Sequence, residues 1–327
     1  MDIIGTIGPS ILTQEKITAL IDAGLTIFRV NGAHTPPEAA AAMIEQLRSY
    51  GAGRARVMVD LPTNKVRTKD LSEPIVFDAG GLFRLHAYQL NYPGLCRVAR
   101  VGDEVIVNNG VNHLRVTDAS ADSIELRADA PGKLGSNRGL IFAREIHTPD
   151  FPLFFERDRE LIAVINELGV ELVGLSYLRY GHEKEEAQRL IEDADSLVYK
   201  IETRQAFQDF ERLIAPGDKI LIDRGDLAGE IGLVHIPHAQ DRIVRFAHRQ
   251  RVEVYLATQF LASMETSPVP HIAEVCALYE TIKLGISGLQ LSEETAVGHF
   301  PEKAVRWIRD IENVVVNEGR LAIGAPV

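Results

Sequence analysis

Basic and acidic side chains stand close together near the ends of two neighbouring predicted strands. Lys200 and Glu202 are two positions apart, so their side chains lie on the same face of a strand. Asp226 ends the next predicted strand, and because adjacent strands lie about 4.8 Å apart, Glu202 and Asp226 can reach one cation. Two carboxylates that leave coordination positions open suit Mg²⁺ or Mn²⁺, and no His/Cys group competes for zinc. We therefore predict a divalent metal site, with Lys200 beside it as a positive charge for a bound anion.

The alternative interpretation of Lys200 and Glu202 is a structural ion pair, because buried charges are usually paired. The isolated spacing does not decide between the two. Further charges favour the functional interpretation: the cations Arg29 and Arg67 and the carboxylate Asp60 are also predicted at strand ends on one face. Convergence of both signs at one end of a fold is typical of a site that binds a metal together with an anion.

Eight short apolar segments, most of them separated by helix-like stretches, would position these side chains. Strand and helix in alternation predict parallel strands, and eight such units predict an α/β fold of the TIM (β/α)8 barrel type. The predicted strands span residues 2–8, 26–31, 56–61, 171–176, 196–202, 219–226, 253–259 and 288–294. The predicted helices span residues 13–23, 36–51, 156–168, 182–193, 204–213, 239–250, 270–284 and 301–317. An active site is expected where the strands end, and those ends carry Arg29, Asn31, Asp60, Lys200, Glu202, Asp226, Thr258 and Glu294.

One stretch, from about residue 69 to residue 147, switches to period-two alternation with turn signals. Strand-like residues 105–107 lead into Asn109-Gly110, a strong hairpin dipeptide, and further strand-like segments follow at 114–116 and 124–126. We predict a small β-rich lid domain inserted after strand 3, formed by residues 69–148. Residues 1–68 and 149–327 would then form the barrel. A domain inserted there would hang over the barrel mouth, as a mobile lid or as a rigid structural addition.

The composition excludes several classes of protein. Of 327 residues, 46% are hydrophobic and 25% charged, as in ordinary globular proteins. A net charge of −11 disfavours nucleic acid as a partner, because phosphate contacts need a basic surface. No apolar run approaches the ~20 residues that span a bilayer, and no basic signal segment precedes the first strand. Cys96 and Cys276 lack metal-binding spacing and are expected to be buried, reduced thiols, so we expect a cytoplasmic protein without a membrane partner.

Seven short motifs occur near successive predicted strand ends. They are residues 6–10 (TIGPS), 28–34 (FRVNGAH), 60–68 (DLPTNKVRT), 200–202 (KIE), 224–227 (RGDL), 257–259 (ATQ) and 291–296 (LSEETA). In this order they resemble the motifs of the pyruvate kinase family, and the resemblance covers nearly the whole chain. The insertion falls where pyruvate kinases carry their lid domain, and residues 134–139 (LGSNRG) are similar to a motif of that lid.

The resemblance implies phosphoryl transfer between phosphoenolpyruvate, or a related enol phosphate, and ADP, with Mg²⁺ or Mn²⁺ as cofactor. It implies that Glu202 and Asp226 hold the metal. It also implies that Lys200 and Arg29 stabilise the phosphoryl group in transfer, when its equatorial oxygens carry most of the charge.

The same resemblance assigns the remaining candidate residues. The substrate carboxylate would be bound by the backbone amides near Gly225 and Asp226 and by Thr258. Protonation of the enolate would be assisted by Thr258, with Ser292 and Glu294 as a relay. The nucleotide phosphates of ADP or ATP would lie near Asn31, His34, Arg67 and Arg138.

The chain departs from the family at the monovalent-cation site. Of the family's asparagine, serine, aspartate and threonine, Asn31 and Asp60 remain, whereas Ala33 and Leu61 replace the other two. Lys65 stands at the position of a glutamate, and in family members that do not need potassium a lysine there supplies the missing positive charge. We therefore predict that Lys65 and Asp60 replace the cation site and that K⁺ is not required.

Two further departures bear on the substrate, and a third on assembly. Asp223 replaces a small residue beside the RGDL motif, and Glu293 replaces a glycine. Extra carboxylates near an anion site weaken phosphate binding unless they point away or meet cations; the alternative is that both are simply solvated. The chain also ends about where the family's barrel ends. The C-terminal regulatory domain is therefore expected to be absent, and a monomer or homodimer is expected rather than a tetramer.

Three functions remain open at this stage. The Mg²⁺-dependent phosphotransferase is supported by the motifs around Lys200, Glu202 and Asp226. A metal-dependent lyase, or another enzyme acting on a pyruvate-like enolate, would use the same metal for different chemistry, and Asp223 favours it. A non-catalytic paralogue that senses a metabolite is the third hypothesis, and the altered cation site favours it. Binding of both ADP and an enol phosphate would distinguish the first from the third.

Overall fold

Eight parallel strands close into a barrel in the computed structural model, which describes residues 1–8, 11–148 and 151–317. The barrel strands are β1 (Asp2–Thr6), β2 (Ile27–Asn31), β3 (Arg56–Leu61), β11 (Val170–Leu175), β12 (Ala194–Lys200), β13 (Lys219–Asp223), β14 (Glu253–Ala257) and β15 (Gly288–Leu291). Neighbours around the barrel follow the order of the chain, and β15 pairs with β1 to close it. The predicted TIM barrel is confirmed. Pro9 and Ser10 of the first motif, and residues 149–150 and 318–327 of the predicted barrel domain, lie outside the described residues.

Helices connect the strands and pack around the barrel. They are α1 (Gln14–Ala23), α2 (Pro37–Gly51), α3 (Leu95–Val98), α4 (Glu156–Leu168), α5 (Gly181–Leu190), α6 (Arg204–Leu213), α7 (Arg224–Ile231), α8 (Ile236–Gln250), α9 (Ile272–Lys283), α10 (Glu293–Ala296) and α11 (Pro301–Val316), with 3₁₀ turns at Ala87–Gln89, Asn108–Gly110, Leu233–His235 and Ala262–Glu265. In α1, both helix ends are formed by the residues that the sequence predicts. The Thr13 hydroxyl caps its first turn, and Gly24 ends it in the left-handed region at φ +113°.

The insertion after β3 is β-rich, as predicted. Its strands are β4 (Ile75–Phe77), β5 (Leu82–His86), β6 (Glu104–Val107), β7 (Asn112–Ala119), β8 (Ser123–Ala128), β9 (Gly132–Leu134) and β10 (Ile141–Phe142). Five of them form a sheet in the order β10-β6-β7-β8-β5, and β4 pairs with β9. The hairpin predicted around Asn109-Gly110 joins β6 to β7. This part has its own apolar core, which also includes Val66, Phe151 and Phe155, so the boundaries at 69 and 148 stay a prediction.

Two apolar layers hold the barrel together. Side chains such as Met58, Leu221 and Tyr255 fill its interior, and a larger cluster packs the outer face of the strands against the helices. Among the described residues, no helix has the length and apolar character needed to cross a bilayer. The expectation of two buried thiols is wrong in part, because Cys96 is buried in the insertion whereas Cys276 is exposed on α9.

Several strands end earlier than predicted, because the backbone turns at once into the following loop or helix. Asp226 lies in the first turn of α7, whose start is capped by Asp223, and Glu294 lies in α10. Glu202 and Thr258 come two residues and one residue after their strands. These side chains therefore reach the barrel mouth from turns and helix starts, and were wrongly assigned to strands.

Gly174 on β11 lies opposite Asp60 on β3, and the barrel closes tightly at this point. A Cβ at Gly174 would lie 1.9 Å from Oδ1 of Asp60 and 2.7 Å from Cε of Met58. Because the Asp60 carboxylate is buried and held by ion pairs, it cannot move away at low cost. We expect Gly174→Ala to lower the free energy of unfolding by about 1–3 kcal/mol in urea denaturation. Gly181→Ala, at a position with open space, is the control, and an equal loss in both variants would contradict this expectation.

Candidate active site

One buried carboxylate holds two cations inside the barrel mouth. Oδ2 of Asp60 lies 2.7 Å from Nε of Arg29 and 2.9 Å from Nζ of Lys200. Arg29 also donates from Nη1 to the Thr6 hydroxyl at 2.8 Å. Burial acts to raise the pKa of Asp60, but Arg29 and Lys200 outweigh it and lower that pKa below its ordinary value. The three side chains therefore form a fixed, charged unit with a net positive charge.

Lys200 keeps its charge although it is buried. Burial acts to lower its pKa, but the carboxylates of Asp60 and Glu202 raise the pKa above the ordinary value for lysine. Its Nζ lies 3.8 Å from Oε2 of Glu202. The amino group thus lies beside the carboxylate cluster, as the spacing of Lys200 and Glu202 predicts.

Three carboxylates meet beside this ammonium. One oxygen from each of Glu202, Asp223 and Asp226 lies within 4.8 Å of the others. Glu202 accepts a hydrogen bond at Oε1 from the backbone amide of Tyr177 at 2.8 Å, while its buried Oε2 has no hydrogen-bond partner. Burial raises the pKa of Glu202. A buried carboxylate oxygen without a hydrogen bond, beside further carboxylates, fits a hard divalent cation, and Glu202 and Asp226 are the residues that would hold it.

Lys65 contributes a second amino group to the cluster. Its Nζ lies 2.6 Å from Oδ1 of Asp226 and 4.6 Å from the centre of the Tyr177 ring. Burial acts to raise the pKa of Asp226, but Lys65 outweighs it and lowers that pKa. Of the two residues predicted to replace the cation site, Lys65 contacts Asp226, whereas Asp60 contacts Arg29 and Lys200.

Three hydrogen-bond donors converge on Oδ1 of Asp223. The Thr258 hydroxyl donates at 2.7 Å, the Gly225 amide at 3.1 Å and the Asp226 amide at 3.4 Å. Thr258 has φ +79°, which is strained for a β-branched residue, and such strain is typical of functional sites. The groups predicted to bind the substrate carboxylate are thus brought together, and a side-chain carboxylate occupies them.

The predicted nucleotide residues lie where the insertion meets the barrel. Nδ1 of His34 lies 3.0 Å from Nδ2 of Asn137, which also donates to the Ala33 carbonyl. Burial and the charge of nearby arginines, Arg67 first among them, lower the pKa of His34. Arg67 donates to the Asn137 carbonyl at 3.5 Å.

Two other predicted nucleotide residues make simpler contacts. Oδ1 of Asn31 accepts from the Ala33 amide at 3.1 Å. Arg138 contacts Thr68 through its backbone amide, and its side chain is exposed. Among the described residues, Asn31 and Arg138 therefore have no contact partner in common.

Comparison with known proteins agrees with this geometry. The family described as "Pyruvate kinase, barrel domain" matches residues 1–305. A pyruvate kinase of Aeropyrum pernix is 29% identical over 95% of this chain and 70% of its own length. A pyruvate kinase of Encephalitozoon cuniculi is 31% identical over 94% of this chain and 74% of its own length. The chain belongs to the pyruvate kinase family.

The relay predicted from the pyruvate kinase resemblance is not connected to Thr258. Glu294 accepts at Oε2 from the Ser292 amide at 2.8 Å and at Oε1 from the Leu261 amide at 3.4 Å. Burial raises the pKa of Glu294. No hydrogen bond among the described residues joins Ser292 or Glu294 to Thr258, and the relay stays a prediction.

Sequence reasoning missed Arg157, in the first turn of α4. Its Nε and Nη2 are buried without a hydrogen-bond partner, as is Nε of Arg67. Burial, together with the charge of Arg67, lowers the pKa of Arg157. Arg157 stands in the polar run Glu156–Glu160, which shows no periodicity or motif, so only the fold could bring it beside Arg67. Buried guanidinium groups of like charge with free N–H donors are typical of an anion site.

This arrangement predicts that Arg67 and Arg157 bind nucleotide phosphates. We expect Arg67→Ala and Arg157→Ala each to weaken ADP binding roughly 10- to 100-fold in calorimetric titration, because each removes charged hydrogen bonds to an anion. Removal of one of two like charges should not lower the melting temperature of the free protein. Arg159→Ala, exposed on the same helix, is the control. Unchanged ADP affinity in both variants would contradict the assignment.

Proposed function

We propose that this member of the pyruvate kinase family transfers a phosphoryl group between an enol phosphate, phosphoenolpyruvate or a relative of it, and ADP. Mg²⁺ or Mn²⁺ would be the cofactor. The observation that carries the proposal is the buried, charged Lys200, which lies 3.8 Å from Glu202 at the edge of a cluster of three carboxylates. A buried ammonium beside a metal-type carboxylate cluster suits the transfer of a highly charged group.

Lys200 and Arg29 would stabilise the phosphoryl group in transfer. During transfer its three equatorial oxygens carry most of the negative charge, so fixed cations lower the barrier. Asp60 would act as a positioning residue, because its single Oδ2 orients both cations before substrate arrives. Since their directions are set by the fold, little reorganisation is needed during the reaction.

Glu202 and Asp226 would hold the divalent cation. When bound, that cation would neutralise substrate oxygens and act as a Lewis acid. Lys65, which forms an ion pair with Asp226, supplies positive charge to the same cluster. At the other side of the site, Arg67 and Arg157 would bind the phosphates of ADP.

The proposal predicts a measurable product. ³¹P NMR of the protein with Mg²⁺, ADP and phosphoenolpyruvate should show ATP, and Lys200→Met should reduce its rate at least about 100-fold, since one transition-state donor of this type contributes that much. Lys219→Met is the control, because Lys219 begins β13 at the opposite end of the barrel. No ATP from phosphoenolpyruvate, although the protein still binds it, would shift the proposal to another enol phosphate. ATP formed equally by the Lys200 variant would refute it.

The position of Lys65 predicts that no particular monovalent cation is needed. Lys65 places a positive charge 2.6 Å from Asp226, and Asp60 already has two cationic partners. Turnover should therefore be the same in KCl and NaCl at equal ionic strength, whereas Lys65→Glu should lose activity and gain from added K⁺. Strong activation of the unmodified protein by K⁺ over Na⁺ would contradict this prediction.

A further inference from the structure

The carboxylate of Asp223 occupies a binding position built from three donors. Two of its hydrogen bonds, from the Gly225 and Asp226 amides, are those of an ordinary helix N-cap. The third comes from the Thr258 hydroxyl, which belongs to the turn after a different strand, β14. Capping alone therefore does not account for the convergence of donors on this oxygen.

The three donors are held together by close packing. A Cβ at Gly225 would lie 2.9 Å from Cγ2 of Thr258, so the start of α7 and the Thr258 turn touch because residue 225 has no side chain. The donors thus belong to the backbone and to a strained turn. Shortening the side chain of Asp223 would leave them aimed at the same point.

No ion pair among the described residues includes Asp223. Two carboxylates, Glu202 and Asp226, lie beside it, and the charges of Lys200 and Arg224 act on it from beyond ion-pair distance. The guanidinium of the adjacent Arg224 donates instead to the carbonyls of Ala257 and Thr258. A second carboxylate at this position would find its donors already used and would face like charge, which costs affinity.

We propose that Asp223 is a specificity-determining residue that takes the place of a substrate carboxylate. The site would accordingly prefer, over phosphoenolpyruvate, an enol phosphate with a neutral, hydrogen-bond-donating group, such as an amide or a hydroxyl, in place of the carboxylate, and phosphoenolpyruvate would be the weaker substrate. No hydrogen bond among the described residues reaches Oδ2 of Asp223, so this oxygen can accept from such a group. The inference rests on the proposed phosphotransferase function, because that function supplies the phosphate of the substrate. The inference itself concerns substrate recognition and not phosphoryl transfer.

The test compares two ligands of nearly equal shape, pyruvate and its neutral amide pyruvamide. Calorimetric titration of the full chain in Mg²⁺ should show that the unmodified protein binds pyruvamide more tightly than pyruvate. Asp223→Ser keeps an N-cap oxygen but removes the charge, and it should raise the affinity for pyruvate at least about tenfold while leaving that for pyruvamide within about threefold. Glu293→Ser removes the other extra carboxylate, which is exposed, and should leave both affinities unchanged.

Two results would overturn the inference. One is tighter binding of pyruvate than of pyruvamide by the unmodified protein. The other is unchanged or weaker pyruvate binding in both Asp223→Ser and Asp223→Asn. The asparagine variant keeps an acceptor for the helix amides and replaces the serine variant if that variant does not fold. Mn²⁺ binding is measured in the same variants by electron paramagnetic resonance. If Mn²⁺ binding is lost and pyruvate affinity does not rise, the inference is overturned, and Asp223 is a metal ligand only.

Binding and turnover separate this inference from the proposed function. If no enol phosphate gives ATP with the unmodified protein or with Asp223→Ser, the phosphotransferase proposal fails. The ligand preference and its reversal by Asp223→Ser would still support Asp223 as the residue that excludes a carboxylate.

Discussion

The buried carboxylate of Asp60 is the contact on which the site depends. It sits between Arg29 and Lys200 and lets two cations stand side by side inside the barrel mouth. Removal of one partner from a buried ion network costs about 3–5 kcal/mol, because it leaves an uncompensated charge. The neighbouring strand must also leave room for it, which only glycine at position 174 does. Charge, packing and strand register are therefore coupled at one residue.

A second constraint is the concentration of negative charge next to these cations. Glu202 follows β12, whereas Asp223 and Asp226 both belong to the junction of β13 and α7, and the three place oxygens within 4.8 Å of one another. In the described residues Lys200, beside Glu202, and Lys65, beside Asp226, offset this charge. Such a balance suits a site in which a metal and a phosphate, once bound, become the new partners of the carboxylates and of the protein's cations. Neither the carboxylates nor the cations are then without an opposite charge, in the free protein or in the complex.

The insertion is tied to the barrel at the same edge. Asn137 bridges to His34 and Ala33, and the Thr68 hydroxyl bonds to the Gly135 carbonyl. Each part has its own apolar core, and the core of the insertion also takes in Val66, Phe151 and Phe155 from the adjoining chain. Movement of the insertion would change the surroundings of Arg67, and with them the proposed nucleotide region.

The sequence by itself determined the barrel, the position of the β-rich insertion and the closeness of Lys200 to Glu202. These follow from local signals: strand and helix periodicity, end signals such as Thr13 and Gly24, and the alternation of side chains on a strand. Short motifs also located most of the candidate site residues, because each lies within a few residues of a strand end.

Only the tertiary structure decided which of these residues touch. It brought Lys65 to Asp226, the Ser292 amide to Glu294, and Arg157 to Arg67. It also filled the expected carboxylate position with Asp223. The physical reason is that partners of a buried charge are chosen by distance across the barrel, which depends on strand register and on turns such as the one at Thr258. Neither the spacing of residues along the chain nor a motif contains that distance.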